Sequence, residues 1–149
     1  MEGIIIRDMS GHDLSAVHML ETICDTTPWS VNSLRYEIDN KESSLKVAVR
    51  DDKVIGYVCI RTLLDITHVM KVTVLPDYRQ SGIGSALLSD SLKNLISLKS
   101  DVEYVTLEVR ESNNAAIKLY NKFGFKKSGR RKNYYKNPSE DGIIMQLDI

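Results

Sequence analysis

Arg79, Gly82 and Gly84 stand in the run Val74-Leu75-Pro76-Asp77-Tyr78-Arg79-Gln80-Ser81-Gly82-Ile83-Gly84-Ser85, between an apolar strand and an amphipathic helix. Such an order builds an anion site. The glycines allow a tight turn and a close approach of backbone to ligand. The first amides of the following helix have no partner within the helix and meet the positive end of its dipole. Arg79 adds a guanidinium fork suited to phosphate oxygens. The chemistry implied is a phosphate or pyrophosphate held mostly by backbone. Two known phosphate loops are excluded: Leu87 occupies the third small position of a dinucleotide fingerprint, and Ser85-Ala86 replaces the Lys-Ser/Thr of a P-loop.

A second group of candidates follows. In Thr106-Leu107-Glu108-Val109-Arg110, Glu108 sits mid-strand on the face opposite Val105, Leu107 and Val109. It is either paired with a neighbouring cation, turned to solvent, or placed for acid–base work. Asn113 and Tyr120 are two helical turns apart and share one side of the next helix, with the small Ala116 between them. Asn113 is an N-cap or a ligand contact, or both. Tyr120 is a core aromatic or a proton donor.

The elements that must position these groups read as an α/β chain with a mixed sheet. Strand Ile4–Arg7 precedes a helix started by Ser10 and Asp13, with Leu14, Val17, His18, Leu20 and Ile23 as its apolar face. Ser30 caps a second helix. Leu45–Arg50 and Val54–Arg61 form a hairpin across Asp51-Asp52-Lys53, and His68–Val74 is the strand feeding the glycine loop. The helix after the loop turns Ile83, Leu87, Leu88, Leu92, Leu95 and Ile96 inward. Strand Tyr104–Arg110, helix Asn113–Lys122 ended by Gly124, and strands near Lys126–Tyr135 and Ile143–Asp148 complete the chain. The strands flanking the long helix are expected to be parallel neighbours.

The 149 residues suit one domain, 1–149, with a core that needs no disulfide or metal. Twenty basic and twenty acidic residues cancel, so no global field recruits nucleic acid or membrane. Cys24 and Cys59 lack metal-knuckle or redox spacing and read as core fillers of a reducing compartment. Neither a signal peptide nor a membrane span is evident, which makes cytoplasmic the expectation. The basic run Lys126-Lys127 and Arg130-Arg131-Lys132 reads first as a solvated edge; a cofactor phosphate, an acidic peptide or ribosomal RNA are its other possible contacts.

The loop Arg79-x-x-Gly82-x-Gly84 resembles the coenzyme A pyrophosphate loop of the GNAT N-acetyltransferases, and the element order is similar to theirs. Residues 107–113, 115–120, Phe123-Gly124-Phe125, 129–135 and 140–145 look like the second half of the RimI-type N-terminal acetyltransferases; Pro28-Trp29-Ser30 is similar to a motif near their first helix pair. His68 resembles the strand-start histidine of archaeal and eukaryotic N-terminal acetyltransferase catalytic subunits. The resemblance spans roughly residues 26 to 148.

It implies a mostly antiparallel seven-stranded GNAT sheet with about four helices and two splayed parallel central strands, the thioester arm entering the gap. It also implies acetyl-CoA as co-substrate, no metal, and protein or peptide N-termini as acceptors. Position by position, it implies that Val72, Thr73 and Val74 bond the pantetheine arm through backbone. Gln80, Ser81, Gly82, Ile83, Gly84 and Ser85 would take the pyrophosphate, flanked by Arg79, with Asn113 on the cofactor arm. Glu108 would be the general base, Tyr120 the donor to the departing thiolate, and His68 either a core histidine or a partner of Glu108 on a relay water. Pro28, Trp29, Tyr134 and Tyr135 would line the peptide entrance. Asn114 and Lys71 depart from the family pattern; Lys71 either alters which N-terminal side chain fits or faces outward. The competing readings are a lysine ε-amine or small-molecule acceptor, and an acyl-CoA-binding module without turnover. The oligomeric state stays open between monomer and weak dimer.

Overall fold

The computed structural model describes residues 3–98 and 101–149. Among them are seven strands in the order β1-β2-β3-β4-β5-β7-β6, and four α-helices. All the pairings that carry a register are antiparallel except one, the parallel ladder of β4 with β5. The expected mixed, mostly antiparallel α/β fold is therefore present. The chain forms two compact units. One runs to Arg61 and resumes at Met70 through the long helix; the other comprises Thr62–Val69 and Asp101–Ile149.

The first unit holds β1 (Ile4–Asp8), α1 (Leu14–Cys24), α2 (Val31–Asp39), β2 (Ser43–Arg50), most of β3 (Lys53–Leu63), the second half of β4 (Ile66–Val74) and α3 (Ile83–Leu98). Asp13 organises the entry to α1: its carboxylate accepts the Ser10 N–H at 2.9 Å and both arms of Arg7 at 2.8 and 2.9 Å. That pairing with Arg7 holds the carboxyl below its ordinary range. Ser30 caps α2 by accepting the Ser33 N–H at 3.0 Å. Asp51 and Asp52 both take left-handed φ (50° and 63°), the geometry a two-residue hairpin turn requires.

Leu14, Val17, Leu20, Leu34, Val47 and Tyr57 lie at the centre of this unit's core. Two inward assignments need correction. Ile23 is 58% and Ile96 55% exposed. On α1 the stripe continues from Leu14 and Val17 to Glu21, which is fully buried; on α3 the inward slot goes to Ser91. Cys59 is buried as expected, whereas Cys24 is only half-buried, with its thiol 3.7 Å from the Val74 carbonyl.

Gly56 on β3 marks a close backbone approach: a Cβ there would lie 2.9 Å from the Thr73 carbonyl oxygen and 3.3 Å from Leu87 and Val74. Gly56→Ala is expected to destabilise the protein by about 1–3 kcal/mol, because the obstacle is β4 backbone rather than a mobile side-chain end. A denaturant midpoint shift with unchanged m-value would show it.

The second unit holds the first half of β4, β5 (Tyr104–Arg110), α4 (Asn114–Lys122), β6 (Lys126–Tyr135) and β7 (Glu140–Asp148). The expected parallel pairing is present as Ile66↔Tyr104, Thr67↔Val105 and His68↔Thr106, and the ladder stops there. β7 begins at Glu140 rather than at the expected Ile143: Glu140 pairs with Tyr135, and its carboxylate accepts from Arg110 at 3.2 Å and from the Ser112 N–H at 2.6 Å. Asn113 caps α4 by accepting the Ala116 N–H at 3.2 Å, and Gly124 leaves the helix at φ 97°. β6 is outermost in the sheet and exposed along most of its length, with its register to β7 broken in two places.

Candidate active site

Alternation along β5 buries Val105, Leu107 and Val109 and turns Thr106, Glu108 and Arg110 to the other face. His68, paired with Thr106, shares that face. The result is a hydrogen-bonded group: His68 Nε2 lies 2.8 Å from Glu108 Oε1, and the Tyr134 hydroxyl donates to the same oxygen at 3.4 Å. Arg131 Nε approaches the second oxygen, Oε2, at 3.8 Å, and its guanidinium lies 5.7 Å from the Tyr134 ring centre. The Glu108 side chain is 9% exposed, that of His68 35%. The hydrogen bond from His68 holds the Glu108 carboxyl below its ordinary range; burial opposes this, and the charge of Arg131 and the Tyr134 hydroxyl assist it. Glu108 is thus an ionised acceptor, positioned by three partners, beside half-exposed aromatic surface.

The Tyr134 ring lies close over Gly142 of β7. Gly142 pairs with Arg110, and a Cβ at Gly142 would come within 3.1 Å of the Tyr134 ring. Tyr135 packs edge-on to Tyr134 at 5.0 Å between ring centres, and Arg110 covers it at 4.6 Å. Arg110 also donates to the carbonyls of Lys136 (2.8 Å) and Pro138 (3.0 Å), fixing the β6–β7 loop. Burial raises the phenols of both tyrosines.

Tyr120 is 7% exposed and edge-on to Phe125, at 5.8 Å between ring centres. Among the described residues its hydroxyl has no hydrogen-bond partner, which separates it from a satisfied core tyrosine. Burial alone pushes its pKa up to about 12. Asn113 is exposed; its side-chain oxygen is used by the cap, and its amide remains free to donate.

The glycine loop lies in the first unit. Gln80 and Gly82 both take left-handed φ (62° and 87°), so two such residues flank Ser81. The Ser81 hydroxyl donates to the Tyr78 carbonyl at 2.5 Å. The first amide bonded back to this loop is that of Ala86, which donates to Gly82 O at 3.0 Å, so the amides of Ile83, Gly84 and Ser85 precede it. These are the unpaired donors an anion takes. Arg79 turns back along the chain and donates from Nε to the Val74 carbonyl at 2.9 Å, with its guanidinium close to the Cys24 thiol. Val72, Thr73 and Val74 are half-buried at the end of β4.

Pro28 is exposed and Trp29 half-buried, in the loop joining α1 to α2. The Trp29 N–H donates to Glu21 Oε2 at 3.0 Å, and Lys71 Nζ lies 5.3 Å from the Trp29 ring centre. Lys71 does not face outward: it donates to Asp25 at 2.6 Å and Glu21 at 3.4 Å. Glu21 also accepts a short hydrogen bond from Tyr57. Neither this network nor the contact of Arg131 with Glu108 is evident from the sequence pattern. Glu21, spaced seven from Leu14 and four from Val17, was the available signal for the first; the second depends on strand register. No group of three or more potential metal ligands occurs among the described residues, and no helix among them is long and apolar enough to cross a membrane.

The chain belongs to the Acetyltransferase (GNAT) family, whose model matches residues 14–125. The chain is 33% identical over 145 residues to the [ribosomal protein bS18]-alanine N-acetyltransferase of Haemophilus influenzae, covering 95% of this chain and 96% of that protein. It is 39% identical over 120 residues to an N-alpha-acetyltransferase of Sulfurisphaera tokodaii, covering 72% and 71%. Among solved structures, the ribosomal-protein-S18-alanine N-acetyltransferase of Escherichia coli superposes with a TM-score of 0.88 at 32% identity, covering 98% of this chain and 94% of that one.

Proposed function

We propose that the protein transfers an acetyl group from acetyl-CoA to the α-amine of a polypeptide N-terminus, ribosomal protein included, in the cytoplasm. The observation that carries this reading is Glu108, ionised and held by His68, Tyr134 and Arg131 on the strand that leads into Asn113 and Tyr120. Similarity over nearly the whole chain to proteins named ribosomal protein S18-alanine N-acetyltransferase, and over 72% of it to one named N-alpha-acetyltransferase, supports the acceptor class.

The residues present fit the co-substrate. In the first unit, the open amides of Ile83, Gly84 and Ser85, near Arg79 and the left-handed Gln80 and Gly82, suit a pyrophosphate, and the backbone of Val72 to Val74 suits the pantetheine arm. In the second unit, the free Asn113 side-chain amide is a donor suited to the same arm. Acetyl-CoA, when bound, supplies the acetyl group and leaves as the free thiol. An α-amine has a pKa of about 8 and is mostly protonated at neutral pH, so a base must take its proton as it attacks. Glu108 accepts that proton, directly or through a water shared with His68. Tyr120 donates its O–H toward the leaving sulfur; its raised pKa makes this a hydrogen bond that strengthens as charge develops, with proton transfer completed only as the C–S bond breaks. Tyr134 and Tyr135, beside Glu108, border the acceptor in the second unit; in the first unit, Pro28 and Trp29 are the residues read as bordering it.

Mass spectrometry of free peptides, N-blocked Lys-containing peptides and polyamines with acetyl-CoA tests the reading: free peptides are expected to react, and reaction of blocked peptides alone would overturn it. Tyr120→Phe is expected to lower kcat by about 10- to 100-fold with little change in acetyl-CoA affinity, since it removes an interaction that grows in the transition state.

A further inference from the structure

Charge gathers where α1 meets the α1–α2 loop and β4: Glu21 on α1, Asp25 at the start of the loop and Lys71 on β4. Glu21 is fully buried, and its oxygens are shared among Tyr57, the Trp29 N–H and Lys71. Asp25, five residues before Ser30, accepts Thr27 N–H at 2.9 Å and Lys71 Nζ at 2.6 Å. Lys71 comes from β4, with a side chain 17% exposed, and lies over the ring of Trp29. One ammonium thus offsets two carboxylates beside Pro28 and the Trp29 ring.

We propose that Lys71 sets acceptor specificity: by halving the negative charge that Glu21 and Asp25 place beside Trp29, it favours polypeptide N-termini with uncharged leading side chains over basic ones. This rests on the reading above that Pro28 and Trp29 border the acceptor. Without Lys71, Glu21 of α1 and Asp25 of the loop remain with no ammonium to offset them, and a Trp ring flanked by carboxylates is a site for a cation. The charge on Lys71 therefore acts as a filter on the residues that follow the reacting amine.

The test uses the full chain and peptides identical except at the second residue, which is Ser, Glu or Lys. Lys71→Met is expected to raise the ratio of kcat/KM for the Lys peptide over the Ser peptide by about tenfold, a modest figure because the site is partly solvated. Acetyl-CoA affinity should not move. Lys71→Gln must give the same shift, and adding Asp25→Asn to Lys71→Met must bring the ratio back to within about twofold of wild type if charge is the cause. An unchanged ratio in both single variants, or no reversal in the double variant, overturns the proposal. Trp29 is the sole tryptophan of the chain, so its emission also reads peptide binding with coenzyme A present, independently of turnover. If no peptide is acetylated the functional reading fails, and the ratio of dissociation constants still decides the role of Lys71; absence of any peptide binding overturns it as well.

Discussion

Glu108→Gln is expected to lower kcat/KM for peptide acetylation by about 10²–10³-fold while acetyl-CoA binding stays at its wild-type strength. The amide keeps the size of the carboxylate and can still meet His68 and Tyr134, so the fold has no reason to change. What it cannot do is accept the amine's proton. Steady-state kinetics with calorimetric titration of acetyl-CoA separates the two effects, and wild-type activity in the variant would remove Glu108 from the reaction. The pH dependence follows from the sign of its shift. The carboxyl is held low by His68 first and Arg131 further down the order, so Glu108 stays ionised well into acid. The rise of kcat/KM with pH in the neutral range should then follow the acceptor's α-amine, near 8, rather than the enzyme's base. The same pairing stabilises the fold above the carboxyl's ordinary pKa, and that contribution is lost as pH falls through the depressed value.

The largest stability effect is expected at Glu21. Glu21→Ala removes the acceptor for the Tyr57 hydroxyl and the Trp29 N–H and takes one carboxylate from Lys71, all at a fully buried position. Losing one side of such a network costs about 3–5 kcal/mol, because the groups left behind are desolvated without partners. Glu21→Gln keeps an acceptor in place and should lose clearly less. Urea denaturation of the three proteins checks the order; equal stability of Ala and wild type would mean that water reaches the site and replaces the carboxylate.

Local periodicity made much of this molecule readable. The alternation of Tyr104–Arg110 gives β5 and the outward face of Glu108, whereas Asn113, placed by spacing on the helical stripe of Tyr120, is the non-helical N-cap of α4 and is exposed while Tyr120 is buried. Such signals lie within a few residues. What stayed hidden depends on residues far apart in the chain. Arg131 and Tyr134 meet Glu108 through the register of β6 on β7 and of β7 on β5, and a shift of one residue would turn them to the other face. Lys71 finds Glu21 and Asp25 across 50 and 46 positions. The apolarity of Ile23 suggests an inward position, but the helix angle gives the slot to Glu21, whose polarity is met by partners from β3, β4 and the loop. β7 starts early for a similar reason: Glu140 and Asp141 have loop-like composition, yet Arg110 and Arg130 supply the charge that keeps them in strand.

The outermost position of β6 bears on how the protein behaves in a crowded solution. An edge strand offers a row of open N–H and C=O groups on which another chain can nucleate growth. Here that row carries Lys126, Lys127, Arg130, Arg131 and Lys132, and its pairing is interrupted at Lys127/Gly129 and again beyond Arg131. Positive charges repel a second copy of the same edge, and the interruptions deny it a straight template. The residues that suggested a contact for phosphate also keep the sheet finite at seven strands, so the molecule can hold reactive surface open to polypeptides without being extended by them.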